Sequence, residues 1–555
     1  MKIFKTILYI SLVSLFFFCL SVPLFAATPT TTLPSKEKIV RKVGQSWPCY
    51  IDPAVGTDNL ATITHNNLYD QLVTINKNGE ATHKVATSWD FDPTSNTYTF
   101  KVLKGIKFHN GDTLTANDVI FSLKRLLTIG EGPAYLFEKV IDKYSAPDPE
   151  TVVISLKKNY GPFLTTLWYL FILNEKQVMS NINKDGNYGE FGDYGRDWLL
   201  THDAGSGPYM VKEMKTFESL YAIRFPDYWG GWDKDAPESF KLLGTTEPVL
   251  VRTLMSRNEL EITDEWQPSE NYKAMDDIPG VEVASFNVGG IFYLMFNTSK
   301  PPLDDVHFRR ALSYAFDYKT CQESIYPSAK RANGPVGSAL LGYDSTKPLL
   351  ERDLEKAKAE LAQSPYADQL DKYPVEFVWA AEAADEEKVA LLLQSNVAEI
   401  GIKIEISKHP FMTMIEMATS AESTPHIFAA YMTNIPYSEA GALIEGAYYS
   451  AGRGTWLNPH WFTDEIQSEL DQLINEALAT MDTEKRIVKY KKLISKIIDL
   501  APDIWATEFP QLHAYHADYL IWPDADAAKA GDKINIMPGE RVYFKNMRFI
   551  PEKMP

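Results

Sequence analysis

Trp456 and Trp461 stand in the segment TWLNPHWF, a Gly/Pro-flanked loop. Aromatic rings on a loop can stack on the apolar face of a sugar ring, and the competing role for one of the two is packing at the loop base. His513 and His516 are spaced like metal ligands and alone among the histidines keep a metal site open, against scattered structural or surface histidines. The run from Asn181 follows a calcium loop through Asn183, Asp185 and Gly186. It opens on Asn in place of Asp and carries Gly192 where the last-position glutamate belongs, so it is rejected as one. No GxSxG, HExxH or CxxC pattern occurs, and abundant Asp and Glu give chance carboxylate pairs everywhere. The sequence therefore assigns no catalytic residue, no metal site and no cofactor.

The elements that must position these residues are legible in part. From Val85 to Leu127, Tyr98, Phe100 and Val102 alternate with Thr99 and Lys101, the period of a strand with one buried face. Asn110-Gly111 predicts a turn, and a helix follows, with Thr115 and Asp118 at its start and Val119, Phe121 and Leu126 on its apolar face. Residues 151–156 read as a strand, 163–171 as a helix, and Ser206 to Trp232 as two strands bracketed by turn residues. An extended apolar strand ends at Asn297, Pro301-Pro302 make a stiff link, and a helix begins near Asp305. The last third predicts helices over 353–361, 386–400 and twice within 465–500, with strands over 375–379 and 403–406. Strand-helix alternation of this kind implies α/β lobes, and no internal repeat is visible.

Lys2 and Lys5 precede an apolar run that closes on Ala26 and Ala27, which predicts a secretory signal peptide over 1–26. Pro23 and the alanine pair favour cleavage over an uncleaved anchor, and Phe16, Phe17 and Phe18 argue against a lipidated Cys19. Residues 27–38 then form a polar, Pro-containing linker. The remaining chain is too long for one ordinary domain, so two large lobes or three domains are expected. The formal charge of −18, with no basic block, argues against nucleic acid as a partner. Cys49 and Cys321 survive processing; a disulfide between them is not inferable, and two buried thiols are the expectation.

Three motifs in order carry a family likeness: the 85–127 stretch, GSGPY at 205–209 with PDYWGGW behind it, and FN…PPLDDVHFRRALSYAFD. Together they resemble family 5 extracellular solute-binding proteins, the dipeptide-, oligopeptide- and nickel-binding receptors of ATP-driven importers. The resemblance implies a two-lobed α/β periplasmic-binding-protein fold of type II, with an extra subdomain in lobe one and a ligand cleft between the lobes. It implies lobe one at 39–292 and 517–555 and lobe two at 293–516. The strand from Tyr293 to Thr298 is then the first crossing, and the second falls near Glu508 to Tyr519. It also implies a non-enzymatic, monomeric, periplasmic or otherwise extracytoplasmic receptor that closes on a peptide or similar small organic solute and is read by an ABC permease.

The resemblance further points to individual residues. In the oligopeptide-binding members a tyrosine soon after the first-lobe helix lines the pocket, and Tyr135 stands at the matching place, with a structural tyrosine as the alternative. Those members carry a Trp followed three residues later by an Asp whose carboxylate holds the peptide ammonium, where this sequence has Tyr431 and Asn434. An amide supplies no negative charge, and an unpaired buried ammonium costs on the order of several kcal/mol. Glu439 is a candidate to replace the lost charge, against a merely solvated glutamate. Phe411 matches another pocket aromatic, against a helix-core residue. Asn434 with Trp456 and Trp461 also suits hydroxyls and sugar faces, so an oligosaccharide stands beside peptides. A secreted hydrolase and an envelope chaperone are the alternatives of other classes.

Overall fold

The computed structural model describes residues 37–44, 50–245, 247–433 and 435–555. The expected signal peptide, most of the expected linker, Cys49 and Asn434 lie outside the described residues. The strand Thr97–Val102 buries Tyr98, Phe100 and Val102, as its period predicts. It sits in an antiparallel sheet ordered Ala86–Asp92, Thr97–Val102, Thr151–Leu156, Ile141–Asp148. Gly111, at φ +89°, makes the turn expected at Asn110-Gly111. The helix Ala116–Ile129 starts where Asp118 Oδ2 accepts from both the backbone N–H and the hydroxyl of Thr115, each at 2.9 Å.

A second sheet of the same half orders Ile39–Gly44, Ser239–Gly244, Ser219–Arg224 and Tyr209–Lys215. Single bridges through Ile262 tie it to a ladder of Val281–Phe286 against Gln511–His516. The other half is built on a mixed sheet ordered Ile404–His409, Val375–Ala380, Ile427–Met432, Ile291–Phe296, Asp503–Glu508. Every residue of Ile291–Phe296 is buried. Phe292, Leu294 and Phe296 face the helices Val306–Ala315 and Ala384–Ala398, while Tyr293 and Met295 join the core formed with Ala440–Tyr448, Asp464–Leu478 and Thr483–Leu500. A strand covered on both faces reads as a continuous apolar run, which is why FYLMF shows no alternation.

The strand from Tyr293 lies inside the second sheet, not between the lobes, and Gln511–His516, expected in lobe two up to 516, is laddered in the first half. Residues 287–290 connect Phe286 to Ile291, and residues 509–510 connect Glu508 to Gln511. Gly289, at φ +80°, ends the ladder, and the Phe509 N–H donates to the Gly290 carbonyl at 2.9 Å, so the two links run side by side. Cys321 is a buried free thiol. Among the described residues no helix is long and apolar enough to cross a membrane.

Candidate ligand cleft

Beside the 509–510 link, a cleft of about 540 Å3 opens between the two sheets. The first half contributes Glu265, Trp266, Gln267 and the helix Ser269–Asp276; the second contributes Tyr326, Glu382, Tyr431 and the start of Ala384–Ala398. Phe509 and Pro510 form the floor. Trp266 lies nearly parallel to Phe509, centroids 5.9 Å apart, and edge-on to Tyr431 at 5.7 Å. Its indole N–H is buried with no acceptor among the described residues. Such rings give an apolar ligand surface a flat, rigid seat.

The carboxylates here differ in how they are compensated. Glu265 is buried, and its Oε1 accepts from the Asn59 amide at 2.7 Å. Burial pushes its carboxyl up, but the nearby Lys42 ammonium and the Asn59 bond outweigh that and hold it below the usual range. Burial, with Glu265 beside it, lifts Asp264 to about 6. Glu386, in the helix behind Tyr431, accepts from the Ala380 N–H at 2.8 Å and is pushed up to about 8 by burial. Across the mouth, Ser269 donates to Asp385 at 3.1 Å and Lys388 bridges Asp385 at 2.7 Å and Glu270 at 3.1 Å. On another side the Gly161 N–H donates to the Leu478 carbonyl at 2.7 Å. The halves are thus in contact across the cleft.

The structure distributes the residues singled out in the sequence. Tyr431 lines the cleft and stacks on Phe292 at 4.3 Å. Phe411 opens the helix Phe411–Met417; its N–H donates to the cleft residue Glu382 at 3.0 Å, and its ring meets the edge of Trp456 at 5.4 Å. The Trp461 indole is committed to the Thr424 hydroxyl at 3.0 Å, with Arg453 over its ring. Tyr135 is exposed and stands apart, near Glu445. Asn434 lies outside the described residues. Glu439 does not replace a lost ligand charge: it is buried and held by Arg486 at 2.6 and 2.8 Å and by the Tyr490 hydroxyl at 3.0 Å. His513 and His516 are buried on one strand, their ring nitrogens meeting the carbonyls of Thr263 and Met255. Among the described residues no group of three or more His, Cys, Asp or Glu is placed to hold a metal. Sequence reasoning missed Glu265, Trp266 and Phe509; the signal available was DEWQPSEN, a Trp between an acid and an amide just before a Pro-started helix.

Residues 80–453 match the model described as bacterial extracellular solute-binding proteins, family 5, middle region. The chain belongs to this family. This solute-binding protein is 29% identical to "Probable D,D-dipeptide-binding periplasmic protein DdpA" of Escherichia coli K12, over 82% of the chain and 86% of that protein. It is 24% identical to di/tripeptide-binding protein 2 of Pseudomonas aeruginosa UCBPP-PA14, over 85% of the chain and 90% of that protein. Among solved structures, the ABC transporter substrate-binding protein CtaP of Listeria monocytogenes aligns with a TM-score of 0.77 at 20% identity, over 92% of this chain and 99% of that one. The periplasmic binding protein DppA of Helicobacter pylori, in complex with the peptide STSA, aligns at 0.72 with 18% identity, over 92% and 98%. The solute-binding protein thus has the two-lobed α/β fold of its structural neighbours, and the cleft above lies between its lobes.

Proposed function

We propose that this solute-binding protein captures short peptides between its lobes outside the cytoplasm and, as a monomer, presents them to the permease of an ABC importer. The observation that carries the reading is the cleft, where Trp266 of one lobe, Tyr431 of the other and Phe509 of the hinge converge on about 540 Å3. A ligand that touches both walls binds the closed form better than the open one. It therefore shifts the hinge equilibrium, by no more than the ratio of its two affinities. Sheet membership supports a first lobe that ends at Phe286 and resumes at Gln511, and a second that runs from Ile291 to Glu508. Relatives named for dipeptides and tripeptides support the peptide class. Lys2, Lys5 and the apolar run behind them support export through a cleaved signal peptide.

A thermal-shift screen of a peptide library against an oligosaccharide library tests this. A ligand at 100 times its dissociation constant stabilises by about 2.7 kcal/mol. Peptides are expected to raise the melting temperature. Shifts by sugars alone overturn the peptide reading, and turnover of a bound ligand overturns the receptor reading.

A further inference from the structure

His109 stands in the turn 108–112 of the first lobe, with its side chain 7% exposed. Its Nδ1 faces Asp203 Oδ1, and its Nε2 faces the Gly207 carbonyl at 3.0 Å. A carbonyl can only accept. Asp203 is committed as an acceptor too, because its Oδ1 takes the Gly205 N–H at 3.1 Å and its Oδ2 the Val211 N–H at 2.8 Å. Neutral imidazole carries a single N–H and satisfies one of these partners, whereas imidazolium satisfies both. Burial works against that charge, but the Asp203 carboxylate beside the ring outweighs it and holds the imidazole above its ordinary range.

The acceptors around the ring belong to the GSGPY turn at 205–209 and its approach, which lie outside the cleft lining. The Gly207 N–H donates to the Leu68 carbonyl at 3.0 Å, and a Cβ on Gly205 would come within 1.9 Å of that oxygen. The turn is thus seated backbone against backbone on the end of the helix Asn59–Leu68. That helix is buried along its length, and its first residue holds the cleft carboxylate Glu265 at 2.7 Å. We propose that protonated His109 is a lock that fixes the 205–209 turn to the helix Asn59–Leu68, and that loss of its proton releases the turn.

The other titratable groups nearby are already engaged. Asp70, just past the helix, takes the Ser206 hydroxyl at 2.9 Å and the Trp229 indole N–H at 2.8 Å, with Lys84 at 3.7 Å. Tyr69 donates to the Ile51 carbonyl at 3.0 Å. Asp112, on the same turn as His109, takes the amides of Asn110 and Asn174, with Lys176 at 3.6 Å. Phe225 presents only a ring edge, at 5.0 Å. The lock is complete between the ordinary carboxylate value of 3.8 and the ordinary imidazole value of 6.5. It is lost as the pH rises through the raised value of His109, and again as the pH falls through the depressed value of Asp203.

Hydrogen exchange of the unliganded full mature chain at pH 6 and pH 9, read by mass spectrometry, tests the lock independently of the ligand. Protection, corrected for the intrinsic pH dependence of exchange, is expected to fall at least about tenfold over 203–211 at pH 9 and to stay level over the strand Thr97–Val102 of the same lobe. Nitrogen NMR of histidine-labelled protein, with His109→Gln assigning the signal, is expected to show a ring that titrates above 6.5. His109→Gln should lower the melting temperature at pH 6 and do so less at pH 9, whereas an uncharged packing role lowers it equally at both. Unchanged protection over 203–211, a ring that titrates at or below 6.5, or an equal loss at both pH values overturns the proposal. If the variant does not fold, exchange of the wild type decides alone.

Discussion

Glu439 and Glu445 belong to the two ends of one helix and are set in opposite surroundings. Glu439, at the helix start, is buried against the Arg486 guanidinium and the Tyr490 hydroxyl, so its charge is fully answered inside the second lobe. Glu445, in the last turn, accepts from the Tyr437 phenol at 2.9 Å and has no cation in ion-pair contact among the described residues. Both carboxylates are enclosed by protein, and what separates them is that only one has a fixed counter-ion. On the other side of the cleft, Glu265 lines the wall, bonded to the Asn59 amide and held below the usual carboxylate range by the field of Lys42.

Glu439→Gln is the most severe challenge to this contrast. It leaves Arg486 buried without its partner, and removing one member of a buried pair costs about 3–5 kcal/mol. Urea unfolding should show that loss, and a loss below about 1 kcal/mol would mean that Arg486 does not fix Glu439.

Glu386 comes next, as a buried carboxyl with no cation beside it among the described residues. Its folded-state value of about 8 stands above the ordinary 4.5, so the folded protein keeps a proton that the unfolded chain has released. Its contribution is therefore fully present below pH 4.5 and is lost progressively as the pH rises to about 8. Glu386→Gln removes this dependence. The variant is expected to exceed the wild type by on the order of a few kcal/mol at pH 8, with little difference at pH 4.5. Melting curves at the two pH values check this, and an equal change at both contradicts it.

The smallest effect belongs to the exposed bridge at the mouth. Lys388→Ala should weaken ligand binding by no more than about 1 kcal/mol, and high salt should erase the difference. A salt-insensitive loss in a titration would show that Lys388 touches the ligand itself.

What the sequence disclosed follows the range of each interaction. The strand at Tyr98–Val102 and the helix after Thr115 were legible because period and cap are local. The break at Asn287 to Gly290 was not, because it interrupts an apolar stretch that reads as a single strand, and only the ladder partners show where each strand stops. Motif spacing singles out Tyr431, and its side chain lines the cleft. Glu439 was weighed as a ligand residue because Arg486, its partner, is remote in the chain. Trp266 is illegible for the same reason: Tyr431 and Phe509 approach it only once remote segments are assembled.

Capture between two lobes can be observed directly by hydrogen exchange, measured by mass spectrometry on the full mature chain with and without a peptide that raises its melting temperature. Protection is expected together at Glu265–Gln267 of the first lobe and at Glu382–Lys388 and Tyr431 of the second, with the 509–510 link included. Protection confined to one lobe, or none at saturating peptide, would contradict closure around the ligand.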